Sequence, residues 1–428
     1  MQNYTDYQEK YGRIMQFGKN KKTPIHRWYP FVEGYSREFI KSIIDEQKAD
    51  PTLCIDPFSG SGTTSLELQR MGIRCYSFEV NPFMYKLSKV KIRNYKYTEL
   101  TFTEYMNSIR NTLKTKNVDN YESSFRTLVE NEENLKWNID REVFGAIQEI
   151  RFAISTIEDS LYSDLFEIAL ASILLEISNL YRNGKCLSYK HNWETLTFSQ
   201  NEVFEKYFWI LENVFLPDIV NITNSVPVSN DQFLYLGDCR ELIDRVIDDD
   251  SVDLVITSPP YLNSRDYTDS YMLELKTLGY VTNFEDISDL RKLTFRSHVQ
   301  VKWQIDKHAD NQLVEDMLEK IKMNMTELKQ WNKEIPTMIS AYFADIEILF
   351  AQLYRKLKVG GRIYFNVSNS AYFNVLIDTI EVCSFIAENV GFCVLEIRKA
   401  RYLSPSAQQK QSIKRLLEGI IVLEKQEK

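Results

Sequence analysis

With 428 residues, 44% hydrophobic and 26% charged, the chain has the balance of a globular protein able to bury a large core, and its length suggests roughly two or three domains. The formal net charge of −8, taken alone, argues against a nucleic-acid binder. Six scattered cysteines with no C-x-x-C pair, four histidines without ligand spacing, a polar start from Met1 to Tyr11 and no run near the ~18 apolar residues of a membrane span argue against a zinc site, a disulfide framework, a signal peptide and a bilayer crossing, and place the chain in a reducing cytoplasm.

In chain order, Thr52 to Ile55 reads as a short strand, and Asp56-Pro57-Phe58-Ser59-Gly60-Ser61-Gly62-Thr63-Thr64 as a glycine-rich turn that opens a helix running to Met71 and stopped by Gly72. Ile73 to Val80 reads as a second strand and Pro82 to Val90 as a second helix. This order predicts an α/β fold with a doubly wound parallel sheet. From 98 to 230 glycine almost disappears, leaving only Gly145 and Gly184, and long amphipathic patterns such as Val143 to Leu161 and Leu165 to Tyr181 predict a mainly helical insertion. Strand character returns at Phe233 to Leu236 and Val252 to Ile256. The stretch 267 to 358 turns helical again, notably Gln312 to Gln330 and Met338 to Leu357. After Gly360-Gly361, Arg362 to Val367, Phe392 to Arg398 and Gly419 to Glu424 read as closing strands.

Gly60-Ser61-Gly62 lacks the third glycine of a dinucleotide fingerprint, but a strand precedes it, Asp56 sits at the strand end and a helix follows. Glycines allow a tight turn with N–H groups close to a ligand, and the helix N-terminus favours an anionic group. Glu79 ends the next strand, placed to accept hydrogen bonds from two ribose hydroxyls; the alternative is a surface glutamate. Asp238 follows the strand Phe233 to Leu236, as an acidic contact or a plain turn residue. At the end of Val252 to Ile256 stands Thr257-Ser258-Pro259-Pro260-Tyr261, which delivers a hydroxyl, two rigid prolines and an aromatic ring to one point. That set suits a flat, amine-bearing ring, unless it is only a proline-rich loop.

Together Asp56 to Thr64 and Thr257 to Tyr261 resemble the amino-methyltransferases, which use S-adenosylmethionine to methylate the exocyclic nitrogen of a DNA base. The resemblance covers roughly 24 to 92, 231 to 268 and the closing strands from 360 onward, and implies a Rossmann-like methyltransferase sheet. It implies a cofactor half at 1–97, a candidate target-recognition insertion at 98–230, and a catalytic half at 231–428 with a helical segment at about 268–358. The segment His26-Arg27-Trp28-Tyr29-Pro30-Phe31, with Ser36-Arg37-Glu38-Phe39, resembles the family's cofactor-flanking motif. The cofactor set thus implied is Tyr29, Asp56, Phe58, Gly60, Gly62, Thr63, Glu79, Asn81 and Asp238, the last against the adenine amino group. The catalytic set is Ser258, Pro259, Pro260 and Tyr261, with Ser258 Oγ and the Pro259 carbonyl as acceptors for the amine hydrogens and Tyr261 stacked on an extruded base. No metal is implied.

Serine at 258 resembles the cytosine-N4 branch, so the expected activity is cytosine-N4 methylation of double-stranded DNA beside a cognate restriction endonuclease. Adenine-N6 methylation, RNA base methylation and an inert cofactor-binding DNA-recognition subunit are the rival expectations. Three segments carry bases and no acids: 84–97 (Lys86, Lys89, Lys91, Arg93, Lys96), 291–304 (Arg291, Lys292, Arg296, Lys302) and 398–417 (Arg398, Lys399, Arg401, Lys410, Lys414, Arg415). They predict a basic groove for phosphates or, each singly, a solvated face. Arg182, Lys185, Lys190 and His191 give the insertion a basic tip. Asn263, Arg265, Asp266 and Tyr267 are read equally as a base-site lining or a polar loop.

Overall fold

The computed structural model describes residues 4–32, 34–115, 123–133, 135–184, 186–222, 226–263, 266–303, 312–327, 332–405 and 413–427. Lys185, Arg265 and Lys410 lie outside the described residues. Eight strands form one sheet: β1 (Tyr4–Asp6), β2 (Leu53–Asp56), β3 (Arg74–Glu79), β4 (Leu234–Leu236), β5 (Val252–Thr257), β6 (Leu357–Ser368), β7 (Cys393–Leu403) and β8 (Leu416–Glu424). Their order across the sheet is β1-β7-β8-β6-β5-β2-β3-β4.

Neighbours are parallel except on both sides of β8, which runs against the rest. The expected all-parallel sheet is corrected there. β7 and β8 are consecutive in the chain and adjacent in the sheet, an arrangement that short connections make antiparallel. The reversal also brings the beginning of β8 to the edge where the parallel strands end.

Side chains alternate across the sheet, and both faces are covered. Ile55, Val255, Ile363 and Phe365 pack with the helices Cys239–Val246, Ile335–Lys356 and Thr379–Val390. Cys54, Leu254, Ile256 and Tyr364 pack on the other side with Phe39, Ile40 and Ile43 of the helix Arg37–Ile44. Burial on both faces explains why β5 reads as a nearly unbroken apolar run.

A third core joins Trp28, Leu66, Phe83 and Leu87 to Phe102, Ile147, Leu165 and Tyr207. The expected helical stretch therefore packs directly against the cofactor half. Its helices are Glu99–Thr115, Arg141–Ser155, Ser160–Ile177, Gln200–Ile210 and Leu216–Val220. The pattern Val143 to Leu161 breaks because Asp159 caps a new helix, accepting from the Leu161 N–H at 2.9 Å. The pattern Leu165 to Tyr181 ends at Ile177 and gives way to a hairpin, Leu180–Asn183 against Cys186–Tyr189. Gly360-Gly361 lies inside β6, where its pairing with β5 shifts register, rather than before the strand. Among the described residues, no helix is long and apolar enough to cross a membrane.

Gly62 has φ +77°, and a Cβ there would lie 2.3 Å from Ser88 Oγ and 3.1 Å from Ser88 Cα. It lets the helix Thr63–Arg70 pack against Pro82–Ile92. Gly62→Ala is expected to cost about 1–3 kcal/mol, from the left-handed backbone and the overlap together. Gly18→Ala, which meets nothing within 4 Å, is expected to stay within about 0.5 kcal/mol of the native chain. Urea unfolding of both variants measures the difference.

Candidate active site

Strand order reverses at β2. The chain leaves it toward β3 and β4, then returns to place β5 on its other side. Such a reversal leaves a crevice at the carboxyl ends of the strands. Cys54 and Ile55 pair with Leu254 and Val255, so Asp56 and Thr257 emerge side by side. Thr257 Oγ1 donates to Asp56 Oδ1 at 3.0 Å, and the Phe58 N–H donates to the same oxygen at 3.2 Å. Both motifs thereby leave the sheet from one anchored point.

One cavity at this edge is lined by Phe58, Ser59, Gly60 and Thr63, by Glu79 and Asn81, by Asp238, and by Ser258, Pro259, Pro260 and Tyr261. The glycine loop and the Ser-Pro-Pro-Tyr loop thus face the same space. The Glu79 carboxylate accepts backbone N–H groups, Oε2 from Gly60 and Oε1 from Asn81, both at 2.8 Å. The carboxylate also lines the cavity, with acceptor capacity left toward it. Burial pushes the Glu79 carboxyl up to about 7 and that of Asp56 up to about 6. Gly60 turns the loop with φ +51°, and a Cβ there would press to 2.9 Å from the Phe31 ring.

Three residues of the expected cofactor set do not line the cavity. Asp56 is 1% exposed and lies beneath the loop as its anchor. Gly62 faces Ser88 between two helices. Tyr29 is buried, its hydroxyl donating to Glu274 Oε1 at 2.6 Å. Two others carry structural duties besides facing the cavity. Asn81 caps the helix Pro82–Ile92, accepting from the Phe83 N–H at 3.0 Å. Asp238 caps the helix Cys239–Val246 and grips Arg240, whose Nη1 also reaches Asp345 Oδ2 at 2.6 Å. Arg240 therefore competes for the Asp238 oxygens expected to face an adenine amino group.

The structure adds residues that the sequence reading passed over. Phe31 and Tyr271 stack with ring centroids 6.0 Å apart and both line the cavity. Phe295 and His298 line it further along; burial pushes the His298 imidazole down. Phe31 stood inside the quoted aromatic segment. Phe295 and His298 had no local signal, because only the chain's return from a helix brings them here. Of the segment after the catalytic loop, Asp266 and Tyr267 line the cavity, whereas Asn263 sits beside them with Nδ2 donating to the Tyr267 hydroxyl at 3.2 Å.

Behind the Ser-Pro-Pro-Tyr loop, Asn366 Nδ2 donates to the Tyr261 hydroxyl at 2.8 Å and to Ser258 Oγ at 3.3 Å. The Tyr261 hydroxyl donates to Glu418 Oε1, and Glu418 Oε2 pairs with Arg401. Among the described residues, no cluster of three or more His, Cys, Asp or Glu side chains has the arrangement of a metal site.

The expected basic groove is corrected by tertiary pairing. Lys86 meets Glu167 at 2.9 Å, Arg93 and Lys96 meet Asp231 at 2.6 and 3.1 Å, and Lys91 is buried with Nζ donating to the Ser61 carbonyl. Arg291 pairs with Asp266 and Asp269, Arg296 with Asp345, Arg398 with Glu46 and Glu396. Of the named bases, Lys96, Lys292, Lys302, Lys414 and Arg415 are exposed, Lys96 against Asp231 and Lys292 against Asp289. Apart from Asp289 and Glu396, each of which lies just before its segment, the acids named here come from distant stretches of chain.

The basic tip is corrected likewise. Arg182 Nη2 pairs with Glu274 Oε1 at 2.6 Å, with the two side chains 8% and 1% exposed, and the guanidinium sits 4.9 Å over the Tyr271 ring. Lys190 Nζ donates to the carbonyls of Glu176 and Ser178; His191 is exposed. Arg182→Ala strands a buried carboxylate and is expected to cost about 3–5 kcal/mol in urea unfolding. Native stability with weakened DNA binding would instead return Arg182 to the nucleic-acid surface.

A family model for DNA methylases matches residues 252–428, and one for D12 class N6 adenine-specific DNA methyltransferases matches residues 37–334. Among curated proteins, the type II methyltransferase M.BsoBI of Geobacillus stearothermophilus is 26% identical over 90% of this chain and 82% of its own. The type II methyltransferase M.AvaI of Anabaena variabilis shows the same identity and the same shares. Among solved structures, the rRNA methyltransferase aviRa from Streptomyces viridochromogenes overlaps 93% of this chain and 84% of its own at 9% identity, with a TM-score of 0.26, too low to speak to function.

Proposed function

This chain belongs to the S-adenosylmethionine-dependent DNA amino-methyltransferases, and from that membership we propose that it methylates N4 of cytosine in double-stranded DNA, as the modification partner of a cytoplasmic restriction endonuclease. The observation that carries this reading is the shared cavity of Gly60, Glu79, Ser258 and Tyr261. The type II names of the relatives support the restriction setting.

The cavity's residues fit the cofactor. No side chain caps the helix Thr63–Arg70, so its first N–H groups remain open to a carboxylate. Glu79 offers two oxygens for ribose hydroxyls, and Phe58 and Phe295 offer aromatic walls beside Asp238. When bound, S-adenosylmethionine supplies an electrophilic methyl group on a sulfonium. Ser258 Oγ and the Pro259 carbonyl accept the two hydrogens of the target amine. That favours the pyramidal nitrogen whose lone pair attacks, which is stabilisation reserved for the transition state. Tyr261 offers a ring face for the base, at ~1–3 kcal/mol of stacking. A base reaches this depth only outside the duplex stack, at a cost of a few kcal/mol that contacts from the stretches 98–230 and 268–345 offset.

The serine at 258 supports cytosine over adenine. The D12 class match over 37–334 favours the second reading, adenine N6. Incubation with methyl-labelled cofactor and duplex DNA, then digestion to nucleosides, is expected to give N4-methylcytosine. N6-methyladenine would overturn the base assignment, preferential labelling of RNA would overturn the substrate, and cofactor binding without transfer would leave an inert recognition subunit.

Glu79 gives the cofactor site a pH dependence. Its carboxyl is raised to about 7, so it is protonated below neutrality, and only the ionised form accepts two hydroxyl hydrogen bonds. Affinity is therefore greatest above pH 7 and weakens as pH falls, approaching ~10-fold per unit. Calorimetric titration with S-adenosylmethionine from pH 8 to 6 measures it. Glu79→Gln is expected to bind weakly and to lose this dependence; an unchanged Kd would remove Glu79 from the ribose role.

A further inference from the structure

Methyl transfer leaves a proton to be removed. As the N–C bond forms and the S–C bond breaks, the sulfonium becomes a neutral thioether and the amine becomes cationic, and one N–H proton must depart to leave the neutral methylamine. Ser258, the nearest acceptor in the proposed mechanism, is a neutral hydroxyl and keeps no proton for long. We infer that the proton's destination is Glu418, reached through the Ser258 and Tyr261 hydroxyls. This inference rests on the methyltransferase reading of the same cavity.

The geometry follows the sheet edge. Ser258 leaves β5, Asn366 stands near the end of β6, Glu418 near the beginning of β8, and Arg401 opposite Glu418 on β7. Asn366 Nδ2 donates to both the Ser258 and the Tyr261 hydroxyl oxygens and so holds the two side by side, and the Tyr261 hydroxyl donates to Glu418 Oε1. The amine proton moves to Ser258 Oγ, the serine's own proton moves to the Tyr261 oxygen, and the tyrosine's proton moves to the carboxylate. Each hydroxyl ends as it began, and Glu418 holds one proton more.

The surroundings suit that task. Glu418 is 2% exposed, and Arg401 holds its second oxygen and balances its charge. Asn366, 3% exposed, donates to both hydroxyl oxygens of the relay and so fixes which way their protons point. Its own Oδ1 is buried with no hydrogen-bond partner. A buried unmatched carbonyl is unfavourable, and it is tolerated where the amide's donor face is in use.

Single-turnover methyl transfer to duplex DNA by the full chain tests the relay. Glu418→Gln and Tyr261→Phe preserve shape while removing the acceptor or the hydroxyl. Each is expected to slow transfer about 100-fold, with the Kd values for S-adenosylmethionine and DNA within about twofold of native, which also shows that the variants fold. Glu418→Asp keeps a carboxylate and is expected to recover part of the rate lost in Glu418→Gln. Because both act in one chain of transfers, the double variant is expected to be no slower than the slower single variant. Native rates in either single variant, a Glu418→Asp no faster than Glu418→Gln, or losses that multiply in the double variant would overturn the relay. If the native chain transfers no methyl group, the proposed function falls and the relay with it; if it does and the variants keep pace, the relay alone falls.

Discussion

Asp56 and Thr257 stand 201 residues apart in the chain and 3.0 Å apart in space. Their hydrogen bond closes the gap between two parallel strands at the point where strand order reverses. A buried carboxylate is costly, and the cost shows in an acid group held near 6. It is offset by donors on the Phe58 amide and on Thr257 and Thr64, which the ionised oxygens bind strongly. The Phe58 bond turns the chain into the glycine loop, and the Thr257 bond sets where Ser258 leaves the sheet. Without that pin, the glycine loop and the Ser-Pro-Pro-Tyr loop would be separate surface turns; with it they face each other across one cavity.

Charge in this molecule is handled mostly inside. Asp345 bridges Arg240 and Arg296, and through Arg240 it is joined to Asp238 at the cavity. Arg182 and Glu274 do the same between the hairpin after the helix Ser160–Ile177 and the aromatic wall of the cavity. Losing one partner of such a pair is far more damaging than losing an exposed lysine. The pairs thus hold the helical stretches in register with the cavity.

The strands and the site loops were legible because they are local. A buried parallel strand is a short apolar run, a glycine turn needs glycines, and Ser-Pro-Pro-Tyr is contiguous. β1, three residues at the sheet edge, was not legible, since so short a strand has no periodicity. Nor was the orientation of β8, which depends on its neighbour rather than its composition. The basic segments misled for a related reason: Arg93 finds Asp231 and Arg398 finds Glu46 only after folding. Asn366 and Glu418, each an ordinary polar residue in an apolar strand, acquire meaning only from what lies beside them. Asp56, Gly62 and Tyr29 show the converse: Asp56 anchors the glycine loop from beneath, Gly62 faces Ser88 between two helices, and the Tyr29 hydroxyl is bound to Glu274.

The reversed strand β8 has a consequence for how this protein tolerates change. Glu418 sits opposite Arg401 and two residues from Ile420, the partner of Asn366. Side chains alternate with a period of two, so slipping β8 by one position would turn the carboxylate to the opposite face. A single-residue deletion within Gly419–Glu424 would turn Glu418 away from Arg401 and Asn366 and bring the apolar Leu417 to its place.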